Sequence, residues 1–239
     1  KECMVVKKSK KQESHHQLAK YLDTLPAGYP ATDSGVEIDL LKSLFSEAEA
    51  GLALQMRLIN EPPRVIARRA GLPPEQVEKL LKRMAQKGLA AVHFSEDGTE
   101  SYAIQQFVIG FWEGQVNRLD QETVKLFEDY APIWFEKGPW KAFPQVRTIP
   151  IGESIPITTE VTTYESAESI LRSKSVIAVQ NCICRQELSL LDQPCSKPLE
   201  TCMSFDNAAK SSIALGRGRQ ISQEEALAIL KQAQEAGLV

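Results

Sequence analysis

The chain has 239 residues, enough for two ordinary domains that each bury a core of their own. A composition of 43% hydrophobic and 25% charged residues is that of a soluble globular protein and excludes global disorder. The formal charge of -3 excludes a polyanion-binding surface spread over the whole molecule, so any such surface is local.

No run approaches the ~18 apolar residues of a membrane span, and the opening "KECMVVKKSKKQESHH" lacks the apolar centre of a signal peptide. No membrane span and a cytoplasmic location are therefore expected. Thiols stay reduced in that compartment, so clustered cysteines there point to metal or redox chemistry rather than structural disulfides. Residues 1–34 read as a basic leader and N-terminal helix, in which Lys7, Lys8, Lys10 and Lys11 form a solvated tail and Cys3 is incidental.

The next segment, 35–138, reads as a winged helix-turn-helix domain with a helical arm. The pattern turns helical at Val36, and Ser46 with Glu49 forms a capping box for a helix reaching about Leu58. A short helix from Pro63 to Ala70 stops at Gly71, and a second opens at Pro73 and Pro74, where proline suits a first turn. In the second, Val77, Leu80, Leu81 and Met84 recur at helical spacing and give one buried stripe, which Gly88 ends. Two strands follow, at 90–94 and 101–104, around a turn containing Asp97 and Gly98, a strong hairpin signal.

Residues 107–137 are aromatic-rich and read as mostly helical, with a break or kink at Pro132. Two readings of this arm stand side by side: it packs two subunits, as in a homodimer, or two domains together, or it completes its own domain's core. "GPWKAFPQ" then reads as a linker.

A small α/β domain is expected over 146–239, making the whole chain α+β. "VRTIPI" and "IPITTEV" read as strands, "ESAESILRSK" as a short helix, "SVIAVQ" as a buried strand, and the end as an amphipathic helix capped by Ser222 and Glu225 and stopped at Gly237. "GRGR" at 216–219 reads either as an anion cradle or as a flexible turn.

Within this domain "NCICRQELSLLDQPCSKPLETC" holds four of the five cysteines, Cys182, Cys184, Cys195 and Cys202. Cys182 and Cys184 at the end of an extended run would point to one face, with Cys195 and Cys202 returning on a loop stiffened by Pro194 and Pro198. Four thiolates suit a cubane iron-sulfur cluster or a tetrahedral zinc site. Zinc sites are usually built from paired C-x2-4-C turns, which are missing here, so the spacing favours iron-sulfur, most simply [4Fe-4S]. Arg185 and Lys197 beside the ligands would offset the cluster's negative charge.

The run "AVQNCICRQE…C…P…TC", with the "GRGRQISQEEALAILKQAQEAGLV" that follows it, resembles a group of uncharacterised prokaryotic four-iron ferredoxin-type proteins. "FSEAEAGLAL", "IARRAGLPPEQVEKLLKRMAQKGL" and "FVIGFWEGQVNRLDQETVKLFEDY" are similar to the winged-helix portion of that group. The resemblance runs from about residue 20 onward and is most specific at C-x-C-R and the two later cysteines. It implies electron transfer by a ferredoxin-like component that docks on a redox partner protein, with the ligand set Cys182, Cys184, Cys195 and Cys202. Members of the group continue into a further cysteine-rich tail, which this sequence does not include.

A helix-turn-helix also raises DNA as a partner, through Arg64, Arg68, Arg69, Gln76, Lys79, Lys82, Arg83 and Lys87. Against that stand Glu75 and Glu78 near the helix tip and Glu96, Asp97 and Glu100 in the wing, which phosphates would repel. The alternatives to an electron carrier are thus a redox-responsive transcription regulator and a zinc-stabilised interaction module. A self-contained enzyme is not expected, because nucleophile, phosphate-loop and dinucleotide motifs are all missing.

Overall fold

The structure, a computed structural model, describes residues 13–143, 146 and 166–238. The chain divides into two compact units between Gln145 and Val146. The expected strands "VRTIPI" and "IPITTEV", Cys3 and the four leader lysines lie outside the described residues.

In the first unit, helix α1 (Glu13–Asp23) buries His15, Leu18, Ala19 and Leu22, a stripe at helical spacing that packs on α2 (Val36–Leu44) and α3 (Glu47–Ala53). This helix belongs to the core, and His15, read from sequence as part of the leader, is locked inside. Its Nε2 lies 2.8 Å from the Phe45 carbonyl oxygen and its Nδ1 3.4 Å from Glu47. The Ser46–Glu49 capping box is present at the start of α3. That helix ends at Ala53 rather than near Leu58, because Gln55 and Met56 donate to the carbonyls three residues back and tighten the last turn.

Helices α4 (Pro63–Ala70) and α5 (Pro74–Gln86) start at proline, and Gly71 closes α4 in the left-handed region at φ 64°. Val77, Leu81, Met84 and Ala85 form the buried face of α5. Strands β1 (Ala90–Phe94) and β2 (Glu100–Ile104) pair antiparallel, from Ala90 opposite Ile104 to Phe94 opposite Glu100. Glu61 adds an antiparallel bridge to Tyr102 on the outer side of β2.

The aromatic segment is less helical than its sequence suggests. Val108 and Ile109 are extended, residues 113–115 form one 3-10 turn, and α6 (Gln121–Lys137) begins only at the Asp120 cap, whose side chain accepts from the Thr123 N–H. Pro132 does not break α6, which runs on to Lys137. Most of the aromatic side chains enter this unit's own core. Tyr29, Phe107, Phe111, Tyr130 and Trp134 form one contiguous ring cluster. Trp112 stacks on Phe127 at 3.9 Å, and the Trp134 indole donates to the Ala27 carbonyl at 3.0 Å.

In the second unit, α7 (Ala167–Ser173), β3 (Ile177–Asn181), α8 (Ile183–Leu190), β4 (Glu200–Phe205), α9 (Asp206–Ala214), β5 (Gly218–Ile221) and α10 (Gln223–Glu235) follow in order. The sheet is antiparallel throughout, with β3 between β4 and β5. Leu171, Ile177, Val179, Ile221, Ala226 and Ile229 make its core, joining the sheet to α7 and α10, while α9 packs on all three strands. Ser222 caps α10 by accepting from the Glu225 N–H. The reciprocal half of that expected capping box is not seen, and one Glu225 carboxylate oxygen lies 2.7 Å from Arg219. The helices α8 and α9 and the strands β4 and β5 do not follow from the sequence reading.

Candidate metal centre

Strand β3 delivers the chain into Cys182, whose N–H still donates to the Leu199 carbonyl at 2.8 Å as the ladder ends. A bulge between Gln180 and Asn181 shifts the register there, and Cys202 on β4 stands opposite Gln180. Cys182 is thereby set beside a cysteine twenty positions later in the chain. Cys202 sits on a strand, not on the loop expected for it. Cys184 departs from expectation too: it lies in the first turn of α8, with Cys182 at the N-cap, and the extended run stops before it.

These placements still bring three of the four predicted thiols together. Cys182 is 9% exposed, and its side chain is in hydrogen-bond contact with those of Cys184 and Cys202. Those two hydrogen bonds, in that order, hold the Cys182 thiol well below its ordinary value against the opposing effect of burial. The dipole of the Arg185 amide and the Arg185 guanidinium charge add to the same effect, as expected for a sulfur at a helix N-terminus. Cys184, exposed in the first turn of α8, is displaced the other way, mainly through its hydrogen bond to Cys182. The arrangement is three cysteine side chains gathered around the Cys182 sulfur.

The fourth predicted ligand, Cys195, is half-buried in the connection between α8 and β4. As the side chains stand, no group of three or more His, Cys, Asp or Glu residues among the described residues is arranged to hold a metal ion. The three sulfurs form a chain centred on Cys182. The donor chemistry nonetheless suits a soft metal: reduced thiols, one already inclined to ionise, beside a guanidinium.

Of the two predicted charge-offsetting residues, Arg185 is in place and its Nη1 donates to Thr201 Oγ1 at 2.7 Å. Lys197 instead hydrogen-bonds the Ala236 carbonyl at the end of α10. The 216–219 segment forms the turn into β5, in which Gly218 pairs with Gln180.

The eight residues proposed for DNA divide in two. Arg64, Arg68, Gln76 and Lys79 are exposed. Lys82 and Arg83 are also exposed but ion-paired, Lys82 with Glu78 at 3.0 Å and Arg83 with Glu49 at 3.2 Å. The remaining two serve the interior: Arg69 bonds Glu61 and the Gln55 carbonyl, and Lys87 bonds Glu49 and the Leu44 carbonyl, each at 2.7 Å.

No family model, curated protein or solved structure matches the chain.

Proposed function

We propose that Cys182, Cys184, Cys195 and Cys202 hold a [4Fe-4S] cluster and that the protein carries electrons to or from a partner protein. The observation that carries this reading is the convergence of the Cys182, Cys184 and Cys202 side chains, from a helix start and a neighbouring strand. Bound there, such a cluster would supply reversible one-electron chemistry. Its neighbours hold the Cys182 thiol below its ordinary value, which favours ligation by easing loss of the proton that metal must displace. The positive charge of Arg185 would stabilise added electrons and raise the potential.

Metal analysis of anaerobically purified protein tests this. The expectation is about four iron and four sulfide per chain, with broad visible absorbance that bleaches on reduction. Cys184→Ser is expected to lose most of the iron, and Cys3→Ser none. One zinc per chain in colourless protein would replace the redox reading with a structural zinc site, and metal-free protein would end both.

A second reading rests on α4, α5 and the β1–β2 hairpin, which we read as a winged helix-turn-helix, and on the exposed Arg64, Arg68, Gln76 and Lys79. In that reading the protein is a redox-responsive DNA-binding regulator. It ranks second because Lys82 is paired to Glu78, Arg69 and Lys87 are spent internally, and the hairpin turn is acidic. A salt-dependent gel shift with DNA from the protein's own locus would reverse the order.

A further inference from the structure

The second unit contains a cavity of about 320 Å³. Helices α7 and α10 supply Ile170, Leu171, Ile229 and Leu230 to its walls, and β4 supplies Met203 and Phe205. Against this apolar lining stand four polar residues, Cys182, Cys202, Thr201 and Arg185. Arg185 spends Nη1 on Thr201, but its Nε is buried with no hydrogen-bond partner. A guanidinium is charged at every accessible pH and offers donors only, so a buried N–H left over on it calls for an acceptor, best an anionic one. An apolar chamber with a guanidinium-bearing residue in its wall is the chemistry of a site for an amphipathic acid.

We propose that this cavity binds a small aliphatic carboxylic acid, with its carboxylate on Arg185 and its hydrocarbon tail between α7, α10 and β4. The size, at the low end for ligand cavities, suits a tail of about six to eight carbons. A phosphate or nucleotide is a poorer match, because among the described residues Arg185 is the one cationic residue in a wall that is otherwise largely apolar. Cys182 and Cys202 line the same cavity, so the acid would lie beside whatever those thiols hold, and its binding would be felt there. The site itself requires only Arg185 and the apolar walls and stands independently of the metal.

The test is a methyl-NMR titration of the full-length protein with octanoate as the probe, iron being measured on the same sample. Saturable shifts are expected at the Ile170, Leu171, Ile229 and Leu230 methyls. Arg185→Gln should weaken binding at least tenfold, and octanol, which has the same tail and no charge, should bind at least tenfold more weakly than octanoate. Ala233→Phe, which fills the cavity from α10 without touching Arg185, should abolish the shifts while iron content stays at the wild-type level. The proposal is overturned if octanoate gives no saturable shifts, if octanol binds equally well, or if the shifts survive in Ala233→Phe. Iron-loaded protein that ignores octanoate would sink the acid site alone; metal-free protein that binds it would sink the cluster alone.

Discussion

Glu49 is completely buried, and its carboxylate is the hub on which α3 and the end of α5 are joined. It accepts from the Ser46 N–H and hydroxyl and from Lys87, with Arg83 at 3.2 Å. Burial alone would push its carboxyl up, but the Lys87 and Ser46 hydrogen bonds outweigh burial and hold it below its ordinary 4.5. A carboxyl whose value falls on folding stabilises the native state above its unfolded value, and that contribution is lost as pH falls through the folded value. Stability of the first unit should therefore decline below about pH 4.5, and Glu49→Gln should remove much of that acid dependence. At neutral pH the same substitution leaves Lys87 half-buried without its counter-ion and should cost about 3 kcal/mol. Urea melts at pH 7 and pH 4 check both expectations; equal losses for wild type and variant on acidification would contradict this role. Lys87 and Arg69, read from sequence as possible DNA contacts, are both drawn into such internal pairs. A helical wheel places both at the surface of their helices, but their acidic partners come from elsewhere in the chain, Glu49 lying 38 positions before Lys87.

Secondary-structure elements were legible wherever a local signal punctuated them. Proline at the starts of α4 and α5, the Ser46–Glu49 box, the Asp97–Gly98 turn and Ser222 ahead of α10 each act within a few residues, and each element lies where the signal puts it. Illegible elements lacked such punctuation. Helix α8 starts at a cysteine, which is not a cap signal, and α9 begins at Asp206 in the left-handed region at φ 53°. The aromatic spacing at 107–120 mimics a helix because the rings pack together, yet Val108 and Ile109 are extended and Asn117 has φ 64°. The thiol group was half legible: the residues could be named, but the neighbourhood of Cys182 and Cys202 depends on the β3–β4 register, which is a non-local choice. Gly88, expected only as a helix stop, does more. It has φ 78°, and a Cβ there would fall inside the Gly114 carbonyl, so two backbones meet where neither tolerates a side chain. Gly71, at φ 64°, has open space around its missing Cβ. Gly71→Ala should thus cost only the conformational penalty of about 1 kcal/mol, whereas Gly88→Ala adds a steric term and should cost about 3 kcal/mol. Denaturation midpoints followed by tryptophan fluorescence separate the two, and equal losses would remove the steric argument.

For the whole molecule, each unit has its own core, and the chemistry is unevenly shared between them. All three tryptophans, Trp112, Trp134 and Trp140, belong to the first unit, while the four clustered cysteines and the cavity belong to the second. The antiparallel sheet of the second unit is small, and its thiol group ties the start of α8 to β4 where the ladder is interrupted by a bulge. A metal bound by those sulfurs interacts with the folded unit far better than with the unfolded chain, so its binding free energy adds to the stability of that unit. For a domain of this size each kilocalorie per mole moves the melting temperature by about 4–8 °C. If the proposed cluster is bound, stripping it anaerobically with a chelator should therefore lower the transition of the second unit by at least about 10 °C. The tryptophan-detected transition should hold its position, since the ring cluster around Trp134 and the Trp112–Phe127 stack contain no ligand. Far-UV circular dichroism, which reports both units, should then resolve two steps where the loaded protein shows them closer together. A tryptophan transition that falls in step with the metal would mean that the two cores share their stability and that the centre supports the whole chain rather than the half that supplies its sulfurs.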